Sequence, residues 1–460
     1  MRFLLVCPFV LASLSQAQIQ KGLVITKIGA RDNAYAVAVQ PDGKIVAAGV
    51  TYRDRDSAFA LVRYLSDGTP DKNFGVNGRV TTKFGSGDDK AYALAVQKDG
   101  RILVGGSAYN GKDTDYAVAR YRTDGSPDAT FGTGGATRVD VAGGDDRASG
   151  IVVTPAGVIY VAGTAHVGKT NDFAIVALSS TGELHPGFGT LGKVTTEFGT
   201  GDDYAYGVAL QNDGRLVVAG HSMIGDSNVF TVARYLPNGT LDASWGSGQG
   251  RVYTSIGPYN DNAYAVTLQG DGKVLVAGSS SNGKDQDFAV VRYLNNGSLD
   301  PDFGAEGKVR TPMGPGIDNI YGVAVQANGK IVAAGSYFNG FDFDIAVVRY
   351  ETTGRLDSTF GAGGKVGVEM AYRYDAAYSV ALQKDGKVLV GGVTNDSVNY
   401  GFAVARFTNN GKMDGTFHGD VESQTLVARG MAASDKARYR QSITAEAGLK
   451  SLLNLMPPTK

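Results

Sequence analysis

Cysteine is almost missing from this 460-residue chain, and Cys7 is the only one. It lies in a segment that reads as a secretory leader: Met1-Arg2, an apolar core from Phe3 to Ala12, and a small-x-small site at Ser15-Gln16-Ala17. Cleavage after Ala17 is expected, and Cys7 is too near the start and too badly flanked for a lipid anchor. The mature chain would then hold no thiol, which excludes disulfides and thiolate metal sites. Net charge is also scarce, with 44 Lys plus Arg against 45 Asp plus Glu. Nucleic acid binding wants a basic face, so that class is set aside. No apolar run after the leader is long enough to span a bilayer. The four histidines, His166, His185, His221 and His418, fall at different places in the pattern described next. They show no zinc spacing, and neither a nucleophile elbow nor a phosphate loop occurs.

What is abundant is repetition. The turn Asp42-Gly43 returns as Asp99-Gly100, Ala156-Gly157, Asp213-Gly214, Asp271-Gly272, Asn328-Gly329 and Asp385-Gly386, in steps of 57 or 58 residues. A period this long predicts units that bury their apolar faces only against neighbours. The 65 glycines fall at fixed places in the unit, so they mark turns and not disorder. In the first unit, Ala34–Gln40 and Lys44–Val50 flank Pro41-Asp42-Gly43 as a hairpin. Further extended runs follow at Phe59–Leu65 and Arg79–Phe84, giving four antiparallel strands. The runs are rich in Val, Tyr, Phe and Thr and lack helical periodicity. Apolar residues on both faces fit sheets held between other sheets, and seven such sheets set radially make a seven-bladed, all-β propeller. A parallel β-helix is the alternative, but its coils are far shorter.

Gly22–Ile28 matches the fourth-strand pattern yet precedes the first unit, and the seventh unit lacks a clear fourth strand. The N-terminal strand is therefore expected to complete the last blade, with Ser423–Arg429 as a competing candidate. The expected division is a leader at 1–17, a propeller at 18–421 and a C-terminal extension at 422–460. Residues 434–456 read as a helix capped by Ser434 and stopped by Pro457-Pro458. It would either pack under the propeller or serve as a docking tail.

The unit carries Asp-x-x-Tyr-Ala-Val-Ala-Val-Gln, then Asp-Gly-Lys, then Asp-Phe-Ala-Val-x-Arg-Tyr and Phe-Gly. Unit five has it most fully, in Asp261, Tyr264, Gln269, Asp271-Gly272-Lys273, Gly278, Asp287-Phe288, Arg292-Tyr293, Asp300 and Phe303-Gly304. Over residues 20 to 420 the chain resembles the delta-60 repeat (DUF5122-type) β-propeller family of bacterial surface and secreted proteins. The resemblance implies a propeller fold and supplies no catalytic residues. Unit three departs most, with Ser149, Thr154, Ala156, Ala177 and His185 where other units have Tyr, Gln, Asp or Asn, Arg and Asp.

Ten residues before each turn stands an aspartate: Asp32, Asp89, Asp146, Asp203, Asp261, Asp318 and Asp375. Propeller geometry puts these on the face that also carries the loops between strands two and three, with Asp115, Asp172, Asp287 and Asp344. Tyr35, Tyr92, Tyr206, Tyr264, Tyr321 and Tyr378 are expected close by. Clustered carboxylates suit Ca²⁺ or Mg²⁺, which makes the seven aspartates candidate metal ligands. The structural alternative has each Asp accept backbone N–H bonds in its own turn, or pair with a strand-three Arg (Arg63, Arg120, Arg234, Arg292, Arg349, Arg406). Phe74, Phe131, Phe188, Trp245, Phe303, Phe360 and Phe417 read as wedges between blades. His166 and His221, in adjacent units, are placed where they could approach each other.

The resulting expectation is a secreted, periplasmic or surface scaffold, monomeric and without catalysis, that binds a protein or glycan through one face. No cofactor is expected, and Ca²⁺ is the ion the acidic face would take. The alternative is a metal-assisted hydrolase or lyase acting at the mouth of the central channel. A third possibility is a structural module of an envelope assembly.

Overall fold

The structure, a computed structural model, describes residues 21–420 apart from 54–55, 371–373 and 396–399. The leader, the strand candidate at 423–429 and the helix expected at 434–456 lie outside the described residues. The chain forms seven four-stranded antiparallel sheets, one per unit, and together they make a seven-bladed β-propeller. Blade 1 runs Arg31–Val39, Ile45–Arg53, Asp56–Tyr64 and Arg79–Thr82, from the axis outward. In the seventh sheet, Ala376–Leu382, Val388–Asn395 and Tyr400–Phe407 are followed at the outer edge by Leu23–Thr26. Leu23 lies opposite Ala405 and Thr26 opposite Phe402. The innermost strands touch in a closed circuit, with Arg31–Val39 against both Asp89–Val96 and Ala376–Leu382.

The cores lie between blades and not within them. Val46, Phe59 and Phe74 of blade 1 pack with Ala91, Ile102 and Val104 of blade 2 in one cluster. The middle strands are therefore buried on both faces, which is why they lack polar alternation. The predicted wedges are all buried. A Cβ on Gly125 of blade 2 would stand 2.9 Å from the Phe74 ring, so glycine is what lets the wedge seat against the next blade.

A latch joins neighbouring blades. Arg292 donates from Nε to Asp300 at 2.8 Å, sends Nη1 to the Thr352 carbonyl of the next blade at 2.5 Å, and lies 4.5 Å over the Phe303 ring. The same three contacts recur at Arg63, Arg120, Arg234, Arg349 and Arg406. Each guanidinium thus spends its donors on a carboxylate and a carbonyl, the pairing its planar fork favours. In blade 3 the latch is absent in both halves, since Ala177 replaces Arg and His185 replaces Asp. Tyr160, directly across the ladder from Ala177, fills the space and lies 5.3 Å from Phe188. Ala177, His185 and Tyr160 together put an aromatic contact where the other units have a charged latch.

Candidate binding site in the axial channel

The channel wall is set by a backbone device. Every innermost strand has a register shift at the same position, passing over Tyr35, Tyr92, Ser149, Tyr206, Tyr264, Tyr321 and Tyr378. Such a bulge re-aims the extra side chain. Opposite each bulge stands a glycine: Gly49, Gly106, Gly163, Gly220, Gly278, Gly335 and Gly392. A Cβ there would fall 1.8–2.0 Å from a backbone carbonyl oxygen of the bulged strand. The glycine and the bulge are therefore one feature, and it points a tyrosine along the axis in six of seven blades.

The six phenols form an arc. Ring centroids are 5.2 Å apart for Tyr35–Tyr92, 5.0 Å for Tyr35–Tyr378, 5.3 Å for Tyr321–Tyr378 and Tyr264–Tyr321, and 5.2 Å for Tyr206–Tyr264. The arc breaks between Tyr92 and Tyr206, where blade 3 has Ser149. Arg147, two residues earlier on that strand, puts its guanidinium carbon 4.0 Å from the Tyr92 ring centre. All six tyrosines and Arg147 are half-buried, so they stay in contact with solvent space although they lie at the middle of the ring. Burial pushes the Tyr206 phenol up to about 12 and Tyr35, Tyr264, Tyr321 and Tyr378 higher still. The wall is thus neutral, aromatic and hydroxyl-bearing, with one fixed cation.

The ring aspartates have a different environment. All seven are fully buried. Each accepts the N–H of a residue four or five positions earlier, at 2.7 Å from Ile28, 2.8 Å from Phe84, 2.6 Å from Val141, 2.8 Å from Phe198, 2.6 Å from Ile256, 2.7 Å from Met313 and 2.7 Å from Met370. They cap the connection that brings the chain from one blade's outer strand to the next blade's inner one. The strand-three arginines take another aspartate, eight residues downstream of each Arg, because the ring Asp lies inside the connection. The ring and the strand-two loops do share one face, as Tyr109 N–H bonded to the Asp88 carbonyl at 3.0 Å illustrates.

Burial also raises the ring carboxyls: Asp32, Asp89 and Asp261 above the ordinary range, Asp203 and Asp318 to about 6, and Asp146 to about 7. The backbone donors pull the other way and are outweighed. At Asp146 the charges of Asp140 and Asp115 add to the rise. These three acids bring carboxylate oxygens within 4.8 Å of one another, the one such group among the described residues. Asp115, Asp172, Asp287 and Asp344 are buried as well. They accept from Asn110 at 3.0 Å, Thr170 at 3.3 Å, Arg310 at 2.5 Å and Asn339 at 2.7 Å. Both acidic sets are taken up inside the connections, and the surface presented at the axis is the tyrosine arc.

His221 is buried beside that arc, stacked on Tyr206 at 5.5 Å and 5.5 Å from Tyr204, with neither ring nitrogen hydrogen-bonded. Burial pushes it down to about 4, so it is neutral at physiological pH. His166 meets Asn171 at 3.4 Å, and Asn171 donates to the Tyr204 hydroxyl at 3.0 Å. The two histidines are separated by that phenol. Sequence reasoning missed Arg147 and the seven bulge glycines. The available signal was Arg147 in the one unit whose channel tyrosine is lost, at a position occupied by Asn33, Asn262 and Asn319 elsewhere.

No helix among the described residues is long and apolar enough to cross a membrane. Comparison with curated proteins finds no match. Among solved structures, a Lactobacillus plantarum protein is similar at 13% identity and TM-score 0.48, over 81% of this chain and 94% of that one. A polysaccharide lyase of family PL25, an ulvan lyase, is similar at 12% identity and TM-score 0.47, over 88% and 99%. Chaetomium thermophilum Sqt1 is similar at 12% identity and TM-score 0.46, over 85% and 98%. Residues 40–74, 97–131, 211–244, 269–303, 326–360 and 383–417 each match the β-propeller family described as a domain of unknown function, DUF5122, and the unmatched unit is the one with Ser149, Ala177 and His185. The chain belongs to that DUF5122 β-propeller family.

Proposed function

We propose that this protein is a secreted or surface-held, monomeric, non-catalytic scaffold that binds a glycan or a peptide segment at the tyrosine-lined mouth of its axial channel. In this reading the strand Leu23–Thr26 is the clasp that keeps the ring closed. The supporting observation is a division of labour between repeated residues. The acids are consumed by backbone donors and latches, whereas six neutral phenols keep solvent contact at the axis. Aromatic faces with hydroxyl edges suit sugar rings and extended chains, and an array with no available acid–base pair binds without turnover. The test is calorimetric titration of the mature protein with neutral oligosaccharides, acidic oligosaccharides and unstructured peptides. Binding that is lost in Tyr264→Ala/Tyr321→Ala supports the reading. Binding that survives this double change places recognition elsewhere.

One observation favours a second reading, in which the same face takes a divalent cation and supports metal-assisted hydrolysis or lysis. It is the convergence of Asp115, Asp140 and Asp146. A melt in EDTA and then in Ca²⁺ or Mg²⁺ separates the two, since a native-state ligand raises the melting temperature by mass action. A rise with one ion that vanishes in Asp140→Asn supports the cation. No rise at millimolar ion leaves the aspartates as caps.

A further inference from the structure

We propose that the channel holds an oxyanion site centred on Arg147, for a carboxylate or sulfate group entering where blade 3 lacks its tyrosine. The inference rests on the scaffold reading and narrows its ligand to an acidic one.

Every latch arginine has a carboxylate partner, from Asp71 for Arg63 to Asp414 for Arg406. Arg147 has none. The titratable groups nearest it are the neutral phenols of Tyr92, Tyr206 and Tyr35. Its Nε is buried and donates to nothing among the described residues. A guanidinium is charged at every physiological pH, and a buried N–H of a charged group left without an acceptor is unfavourable, which an anion at Nε would relieve. Stacking on Tyr92 satisfies the face of the guanidinium and leaves its Nε donor unmet. The repeat does not fix the residue there: the other units hold Asn33, Asn262 and Asn319, Lys90, Tyr204 and Ala376.

The surroundings match an acceptor-rich guest. Ser149 puts no ring beside the guanidinium, and the flanking Tyr92 and Tyr206 bring hydroxyl donors, with burial pushing the Tyr206 phenol up to about 12. Bidentate approach of two oxygens to a guanidinium is the geometry this side chain favours. His221, neutral and wedged against Tyr206, adds no competing charge. The ring acids are buried and hydrogen-bonded inside their connections, so they do not line the mouth.

The experiment is isothermal titration of the mature protein with sodium sulfate, D-glucuronate and D-glucose at matched ionic strength, in wild type, Arg147→Asn and Arg147→Asn/Ser149→Tyr. The double variant restores the residues found in blades 1, 5 and 6, so its fold is that of a regular unit, and equal melting temperatures verify this. The expected result is one site for glucuronate or sulfate, weakened at least tenfold in Arg147→Asn and abolished when the phenol also fills the seat. Sulfate bound as well as glucuronate means a general oxyanion seat, and glucuronate alone means a sugar acid. Anion binding unchanged in Arg147→Asn, or no anion binding at all, overturns the proposal. Glucose bound equally by all three proteins overturns it while leaving the scaffold reading standing.

Discussion

Two adjacent glycines in blade 2 allow a sharp test of the bulge that builds the channel. An added Cβ at Gly106 would lie 2.0 Å from the Lys90 carbonyl oxygen and 2.8 Å from the Ala91 Cα. At Gly105 its nearest neighbour would be Ile151 at 3.7 Å, an ordinary contact. Neither glycine has a positive φ, so conformation does not separate them. Gly106→Ala must push two backbones apart, because neither the carbonyl nor the Cα can rotate away. Overpacking of this kind costs about 1–3 kcal/mol, and immovable backbone puts this case at about 3 kcal/mol. With an unfolding entropy of about 2.1 cal/mol/K per residue over roughly 400 residues, that is a fall of about 3–4 °C in melting temperature. Gly105→Ala loses nothing in the native state and restricts the unfolded chain, for a gain of about 0.4–1 kcal/mol, or roughly 1 °C. Ala48, Ala162, Ala219, Ala277 and Ala334 already occupy that position in other blades. Scanning calorimetry of the two variants reads the difference directly, and near-ultraviolet dichroism reports whether Tyr92 has lost its place. Equal melting temperatures would refute the claim that glycine is there for the bulge.

Asp146→Asn should leave the melting temperature unchanged below about pH 4, raise it slightly at pH 5 and raise it most at pH 8. A folded-state value of about 7 against about 3.9 unfolded gives stability that is present below pH 4 and lost as pH rises through 7, and asparagine removes that loss. Asp414 runs the other way: its hydrogen bonds and cations outweigh burial and hold it at about 2, so its contribution is lost only in strong acid, which an acid-unfolding titration of Asp414→Asn would show. Asp300→Ala should cost about 3–5 kcal/mol in a denaturant melt, because it strands the buried Arg292 charge. Ala177→Arg alone should destabilise by a similar about 3 kcal/mol, since His185 offers no carboxylate, whereas adding His185→Asp and Tyr160→Val should restore the wild-type midpoint.

The period, the hairpin at each Asp-Gly turn and the four strands per unit were legible because they are local: turn chemistry and apolar runs state them within a dozen residues. The wedges, such as Phe74 and Trp245, were legible for the same reason. Positions that depend on a neighbouring strand were not. Gly106 looks like any small strand residue until the Lys90 carbonyl is seen at its α-carbon. Arg292 stands in sequence between Asp287 and Asp300, and only the fold of the intervening loop decides that Asp300 is its partner and that its other nitrogen crosses to Thr352. The acids of the face were legible as a recurrence but not as buried caps, because backbone N–H groups do not show in a side-chain pattern. Arg147 was hidden because its meaning lies in what Ser149 lacks.

The ring is held like a hoop by six guanidinium rivets, and their distribution decides how it would come apart. Rivets cross from blade 1 to 2, 2 to 3, 4 to 5, 5 to 6, 6 to 7, and from 7 back to 1 through Arg406 and the Ser66 carbonyl. The junction of blades 3 and 4 has none among the described residues, and is held by apolar packing around Tyr160 and Phe188 and by hydrogen bonds such as Gly189 N–H to the Asn238 carbonyl at 2.8 Å. The charged fastening is therefore complete where blade 7 meets blade 1 and missing where blade 3 meets blade 4. Under load, or in high denaturant, the hoop should part at that mid-chain seam, leaving blades 4 to 7 and 1 to 3 still fastened to one another through the contact of blade 7 with blade 1.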